Sequence, residues 1–220
     1  MNDIIFDIID LVLALGAFIY GAIKLFHKGK PMYFQILICA VGCFTLQELS
    51  AVVTFLCNGF EEVIAISILG IIGCVLFILT ANWGALDDLV DENHDAGKKA
   101  RLIALIGPLL VVLAMVFVLF TWVGEIKMFA VVTVLVILAT AIPASYYSLK
   151  HLLLPKDSLG ILSCTRACNA FSFAYLILAA AYCISFSFGS TIAGIVSILC
   201  TLCIVGIAIS SVKGADKWII

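Results

Sequence analysis

The sequence predicts an all-α integral membrane protein with seven transmembrane helices, on three observations. Hydrophobic residues make up 65% of the 220 positions and charged ones 12%, with a mean hydropathy of +1.27; a soluble globule of this size does not tolerate that balance. The apolar residues come in uninterrupted runs rather than in period-two alternation, which selects helices over a closed barrel. Seven of these runs have about the 20 residues that a helix needs to cross bilayer hydrocarbon: 4–26, 32–57, 63–86, 102–122, 128–149, 159–186 and 191–212.

The chain starts MNDIIFDIID, with acids where a signal peptide carries basic residues, so the first run is expected to be uncleaved. Asp3, Asp7, Asp10, Ala14, Ala17, Gly21 and Lys24 share one helical face. Small residues allow close helix approach and acids face hydrocarbon at a high cost, so this stripe is expected to face protein. The second run holds Gln47 and Glu48, with Glu48 within roughly 5 Å of the midplane at about 1.5 Å rise per residue. An ionised carboxylate there is costly unless paired, protonated or in contact with water, which makes Glu48 a candidate proton carrier. With Asp7 and Asp10 it forms a descending series of carboxylates suited to a proton or cation path.

The third run carries Trp83 near its end, where indole sits well among headgroups, as do Trp122 and Trp218. The connection after it contains Asp91, Asn93 and Asp95, the start of a calcium loop. The pattern then fails, with Ala96 in place of glycine and Leu102 in place of glutamate. From Leu102 to Phe120 the fourth run offers no charge, hydroxyl or amide; its one expected task is to cross. The fifth run places Thr133, Thr140, Pro143 and Tyr147 along one face, and Pro143 removes a helical hydrogen bond, a candidate hinge. The sixth places Arg166, Asn169 and Ser172 on one face. The seventh has no internal lysine to hold a retinal, since Lys213 lies at its end.

Basic residues orient the chain. Lys24, Lys28 and Lys30, Lys98, Lys99 and Arg101, Lys150, Lys156 and Arg166, and Lys213 and Lys217 fall on one side, leaving only Lys127 opposite. The N-terminus is therefore expected outside and the C-terminus inside, in a plasma membrane of the bacterial inner type. The outer side adds Glu61, Glu62 and Glu125, which would concentrate cations there.

Three runs, one crossing and three more runs suggest two parallel three-helix halves: residues 1–100, a linker helix in 101–126, and 127–220. Short matches support a repeat: ILICAVGC at 36–43 with ILSCTRAC at 161–168, Tyr20 with Tyr146, Lys24 with Lys150, Cys57 with Cys183, and Ser67 with Ser197. This three-one-three order resembles the SWEET and PQ-loop transporters and the similarly built vitamin-precursor permeases. The resemblance covers the whole chain as topology; Pro143 is followed by Ala144 where the PQ-loop pattern has glutamine, and Ala17 holds the matching place in the first run. It implies alternating access by two halves rocking around a central site.

Other chemistry is poorly represented. His27, His94 and His151 all fall in connections, which leaves no imidazole within the membrane and no zinc set. The nine cysteines form no Cys-x-x-Cys motif; Cys39 with Cys43 and Cys164 with Cys168 have packing spacing, and Cys57 with Cys183 could pair at outer helix ends. No phosphate loop, catalytic triad, cofactor motif or nucleic-acid patch occurs. The expected function is a transporter of a small polar or cationic solute, with Glu48, Asp10 and Asp7 as proton or cation groups and Gln47, Thr140, Tyr147, Asn169 and Ser172 lining the cavity. A seven-helix sensor signalling to a cytoplasmic partner is the second reading and an intramembrane enzyme the third. Partners are the bilayer and the solute; self-association is left open.

Overall fold

A computed structural model describes residues 2–27, 29–57, 61–87, 95–122, 128–154, 161–185, 188 and 190–218. Lys28, residues 91–94, Glu125, Lys127 and Lys156 lie outside the described residues, as do the side chains of Asp3, Glu61, Glu62, Ser67, Asp95 and Ala96. The described chain is helical, and seven of its helical stretches are long and apolar enough to cross a membrane, the pattern of a multi-pass membrane protein.

The helices are α1 (Asn2–Leu25), α2 (Met32–Leu56), α3 (Glu61–Leu79) with a π-helical continuation (Thr80–Leu86), α4 (Asp95–Ala104), α5 (Ile106–Trp122), α6 (Met128–Leu153), α7 (Ile161–Ser185) and α8 (Ser190–Lys217). Together α4 and α5 make the fourth span, Lys98–Trp122. Their break has a local cause. Pro108 has no N–H to give the Ala104 carbonyl, so the chain tightens, with Leu105 N donating to Leu102 O at 3.3 Å before Leu109 N resumes the regular pattern to Leu105 O at 3.1 Å. Pro143 lacks the same donor inside α6, yet that helix runs through it.

Each helix packs on its chain neighbour: α1 on α2, α2 on α3, α5 on α6, α6 on α7 and α7 on α8. The ring closes where α3 meets α6 and α1 meets α8, with α2 also reaching α8. Helix α5 stands outside the ring against α6 and α7, leaving an apolar cleft of about 310 Å³ whose lining includes Leu113, Phe117, Ile177 and Ile184. Many of the large apolar side chains on α1, α4 and α5, Val12, Ile23, Leu102 and Phe120 among them, are exposed, as a surface wetted by lipid requires.

The expected stripe on α1 faces protein: Asp10, Ala14, Ala17 and Gly21 are buried. Its smallness is used at Gly21, where a Cβ would come within 2.4 Å of Ile38 Cδ1 on α2. At the far end of the bundle, Phe34 meets Trp218 edge-on at 5.6 Å, and Lys30 Nζ pairs with Asp216 Oδ1 at 2.8 Å.

Candidate functional site

Two polar groupings in the interior could carry function. The first is built where α1, α2 and α8 meet. Asp10 is 0% exposed and Glu48 is 3% exposed. Asp10 Oδ2 accepts a hydrogen bond from Ser197 Oγ of α8 at 2.7 Å, while its Oδ1 has no partner. Gln47 Nε2 donates to Glu48 Oε1 at 3.1 Å and leaves its own buried Oε1 unpartnered. Asp7, Asp10 and Glu48 lie close enough for their charges to act on one another, and Tyr182 of α7 feels Glu48 and Asp7 in the same way. Asp10 on α1 and Glu48 on α2 are thus buried on two helices that pack together, Glu48 beside Gln47.

Beside them is a cavity of about 30 Å³, lined by Gln47, Phe44, Tyr175, Tyr182, Ser197 and Cys200 among others. That volume holds about one or two waters. Of the expected site residues Gln47 lines it; Asp7, Asp10, Glu48, Thr140, Tyr147, Asn169 and Ser172 do not. Thr140 is satisfied locally, its Oγ1 donating to Ile137 O at 2.8 Å. Asn169 and Ser172 are fully buried nearer the opposite end of the bundle, where Tyr33 Oη donates to Asn169 Oδ1 at 2.9 Å; Asn169 Nδ2 and Ser172 Oγ have no partner. Arg166 reaches from the same helix to the C-terminal end of α6, donating to Leu154 O at 2.9 Å.

The second grouping lies where the π-helical end of α3 meets the last turns of α6. Thr80 Oγ1 donates to Leu76 O at 2.8 Å and Asn82 Nδ2 to Ile78 O at 3.1 Å. Side chains that bond a carbonyl four residues back accompany the widening of this turn. Asn82 Nδ2 also reaches Ser148 Oγ at 3.2 Å, its Oδ1 faces His151 Nδ1 at 3.4 Å, and His151 Nε2 lies 3.0 Å from Asp87 Oδ1. Lys150 donates to the same carboxylate oxygen. Burial of Asp87 pushes its carboxyl up, but the hydrogen bonds from His151 and Lys150, with their charge, outweigh this and hold it below the usual carboxylate range.

This grouping corrects the reading of His151 and Lys150 as loop residues. Both lie inside α6, and His151 is 0% exposed. Tyr147 belongs here too: its ring stacks on Trp83 at 6.3 Å and carries Lys150 Nζ 4.9 Å from its centroid. The sequence signal was an amide, Asn82, inside an apolar run, where polar side chains mark helix contacts.

The cysteines are free, Cys57 and Cys183 included. Among the described residues no three His, Cys, Asp or Glu side chains are placed to hold a metal ion. Comparisons with protein-family models, curated proteins and solved structures return no match to this chain.

Proposed function

We propose that this chain is a membrane transporter for a small polar or cationic solute, working by alternating access and coupled to a proton or another cation. The observation that carries the reading is a pair of buried acids, Asp10 and Glu48, beside a cavity lined from both halves of the chain. Neither acid has a cationic side chain among the described residues. An uncompensated carboxylate in an apolar interior is stable only when protonated or when an ion joins it. Such a group changes state as its surroundings change, which is what coupling requires.

In this reading Asp7 stands at the outer entrance, and the N-terminus is outside with the C-terminus inside a bacterial inner-type membrane. Residues 1–100 and 127–220 are two related halves joined by a linker helix, built like the SWEET and PQ-loop transporters. Under that relation α1 corresponds to α6 and α3 to α8, so the two seams of the ring, α1 on α8 and α6 on α3, are equivalent. Pro143 gives α6 a point of flexure. Asn169 and Ser172, with an unpartnered donor and hydroxyl, are solute contacts on the inner side.

Uptake of candidate solutes into proteoliposomes, with and without a pH gradient, tests the proposal. Glu48→Gln is expected to abolish the dependence on pH while leaving the folded protein intact; uptake with unchanged pH dependence removes Glu48 from the mechanism. The sensor reading is favoured by one observation, that a cavity of about 30 Å³ is too small for a solute. It predicts ligand binding without flux.

A further inference from the structure

We propose that the cavity lined by Gln47 of α2, Tyr182 of α7 and Ser197 of α8 is a binding site for a small ammonium cation, ammonium itself or methylammonium. The inference deepens the transporter reading by naming the class of solute, and it rests on that reading.

Two wall groups are held as acceptors by the buried acids behind them. Neither Asp10 nor Glu48 lines the cavity, but each is one hydrogen bond from its wall. Gln47 turns its Nε2 to Glu48 Oε1 at 3.1 Å, and the oxygen that remains to it is buried and has no partner. Ser197 gives its one O–H to Asp10 Oδ2 at 2.7 Å, which leaves it only lone pairs for a ligand. A wall whose polar groups are fixed in this way selects a ligand that donates.

The charge of the same acids reaches the wall. Tyr182 feels Glu48 and Asp7, and Cys200 feels Asp10 and Glu48. Among the described residues no basic side chain lines the cavity, so this field favours a cation.

The rest of the wall separates an ammonium from an alkali ion. Phe44, Tyr175 and Tyr182 contribute aromatic rings, and apart from Gln47, Ser197 and the two tyrosines no lining side chain carries an oxygen. Sodium or potassium needs a shell of oxygens to replace its water, which so few groups do not supply. An ammonium donates its N–H groups to Gln47 and Ser197, and aromatic rings attract its charge. A cavity of about 30 Å³ has room for about one or two waters. Ammonium or the two heavy atoms of methylammonium match that room, and tetramethylammonium exceeds it.

The test is equilibrium binding of radioactive methylammonium to the purified full chain in lipid nanodiscs, against empty nanodiscs. Wild type is expected to bind saturably and to lose label to ammonium chloride. It is expected to keep label in equal sodium, potassium or tetramethylammonium chloride. Gln47→Leu and Ser197→Ala each remove one acceptor, and each is expected to weaken binding at least about tenfold. Phe44→Leu removes one ring and is expected to weaken it about fivefold. Thr121→Val, whose hydroxyl bonds Phe117 O on α5, is expected to change nothing. Absence of saturable methylammonium binding by wild type overturns the proposal. So does displacement by sodium or potassium as effective as that by ammonium, and so does unaltered binding by folded Gln47→Leu and Ser197→Ala. Uptake of another solute by a protein that binds no methylammonium ends the ammonium site and keeps the transporter; methylammonium binding without flux of any solute keeps the site and ends the transporter.

Discussion

His151 Nε2 lies 3.0 Å from Asp87 Oδ1, and through that contact the last turns of α6 are fixed to the end of the π-helical stretch after α3. Lys150 binds the same oxygen, and Asn82 faces the other imidazole nitrogen at 3.4 Å. Asn82 already donates through Nδ2 to Ile78 O and Ser148 Oγ, so its carbonyl oxygen is what faces the ring. His151 is therefore held between two acceptor oxygens, to either of which a ring N–H can donate. The joint sits where α3 meets α6; the Asp10–Ser197 bond sits where α1 meets α8.

Removing the Asp87 carboxylate takes an ion-pair partner from a buried lysine and a hydrogen-bond partner from a buried histidine. The Lys150 and His151 side chains are 4% and 0% exposed and that of Asp87 is 24% exposed, so Asp87→Asn is expected to destabilise the fold by about 2–3 kcal/mol, below the full value for a wholly buried pair. Thermal unfolding in detergent measures this. Adding Lys150→Met should restore part of the loss, because the buried charge goes with it; a double variant no better than additive would show that the ion pair itself contributes nothing.

The same residue sets a pH window. Burial raises the Asp87 carboxyl, and the bonds from His151 and Lys150 bring it below its ordinary value of about 3.9. A group depressed in the folded state contributes stability that is complete above its unfolded value and is lost as pH falls through the folded one. The stability gap between wild type and Asp87→Asn should therefore stay constant from neutral pH down to about 5 and close only below about pH 4. Unfolding midpoints of both proteins across that range give the answer. A gap that closes between about pH 5 and 7 would assign control to His151 instead.

How much of this was readable beforehand depends on what kind of signal each residue leaves. The seven spans were legible because hydrophobic length is a property of the chain itself, and the face of α1 was legible because Asp10, Ala14, Ala17 and Gly21 keep helical spacing. Burial of Asp10 and Glu48 followed from the rule that acids avoid lipid. The α3–α6 joint was not legible. Asn82 and Asp87 are five residues apart and fall on different faces of a regular α-helix; the wider π turn brings them toward one face, and nothing in the local sequence announces that turn. Tyr147 was grouped with Thr140 by spacing alone. Its stacking partner Trp83 lies on another helix and could not be seen from α6.

Gly70 offers the sharpest test of how the acid site is held in position. A Cβ there would come 2.8 Å from the Cys43 carbonyl oxygen, 2.9 Å from Gln47 Cβ and 3.0 Å from Gln47 N. Two of these are backbone atoms in the middle of α2 that cannot turn aside, so Gly70→Ala must push α3 away from α2. The expected loss is about 1–3 kcal/mol, with Gln47, and hence its bond to Glu48, displaced. Gly16→Ala is the matched control, since a Cβ there meets nothing within 4 Å. On a lipid-facing turn of α1 it should raise stability by about 0.5–1 kcal/mol through helix propensity alone. Comparing the two by thermal unfolding separates close packing from backbone entropy: equal effects would mean that the α2–α3 contact is loose enough to absorb a methyl group, and that Gln47 is not fixed by it.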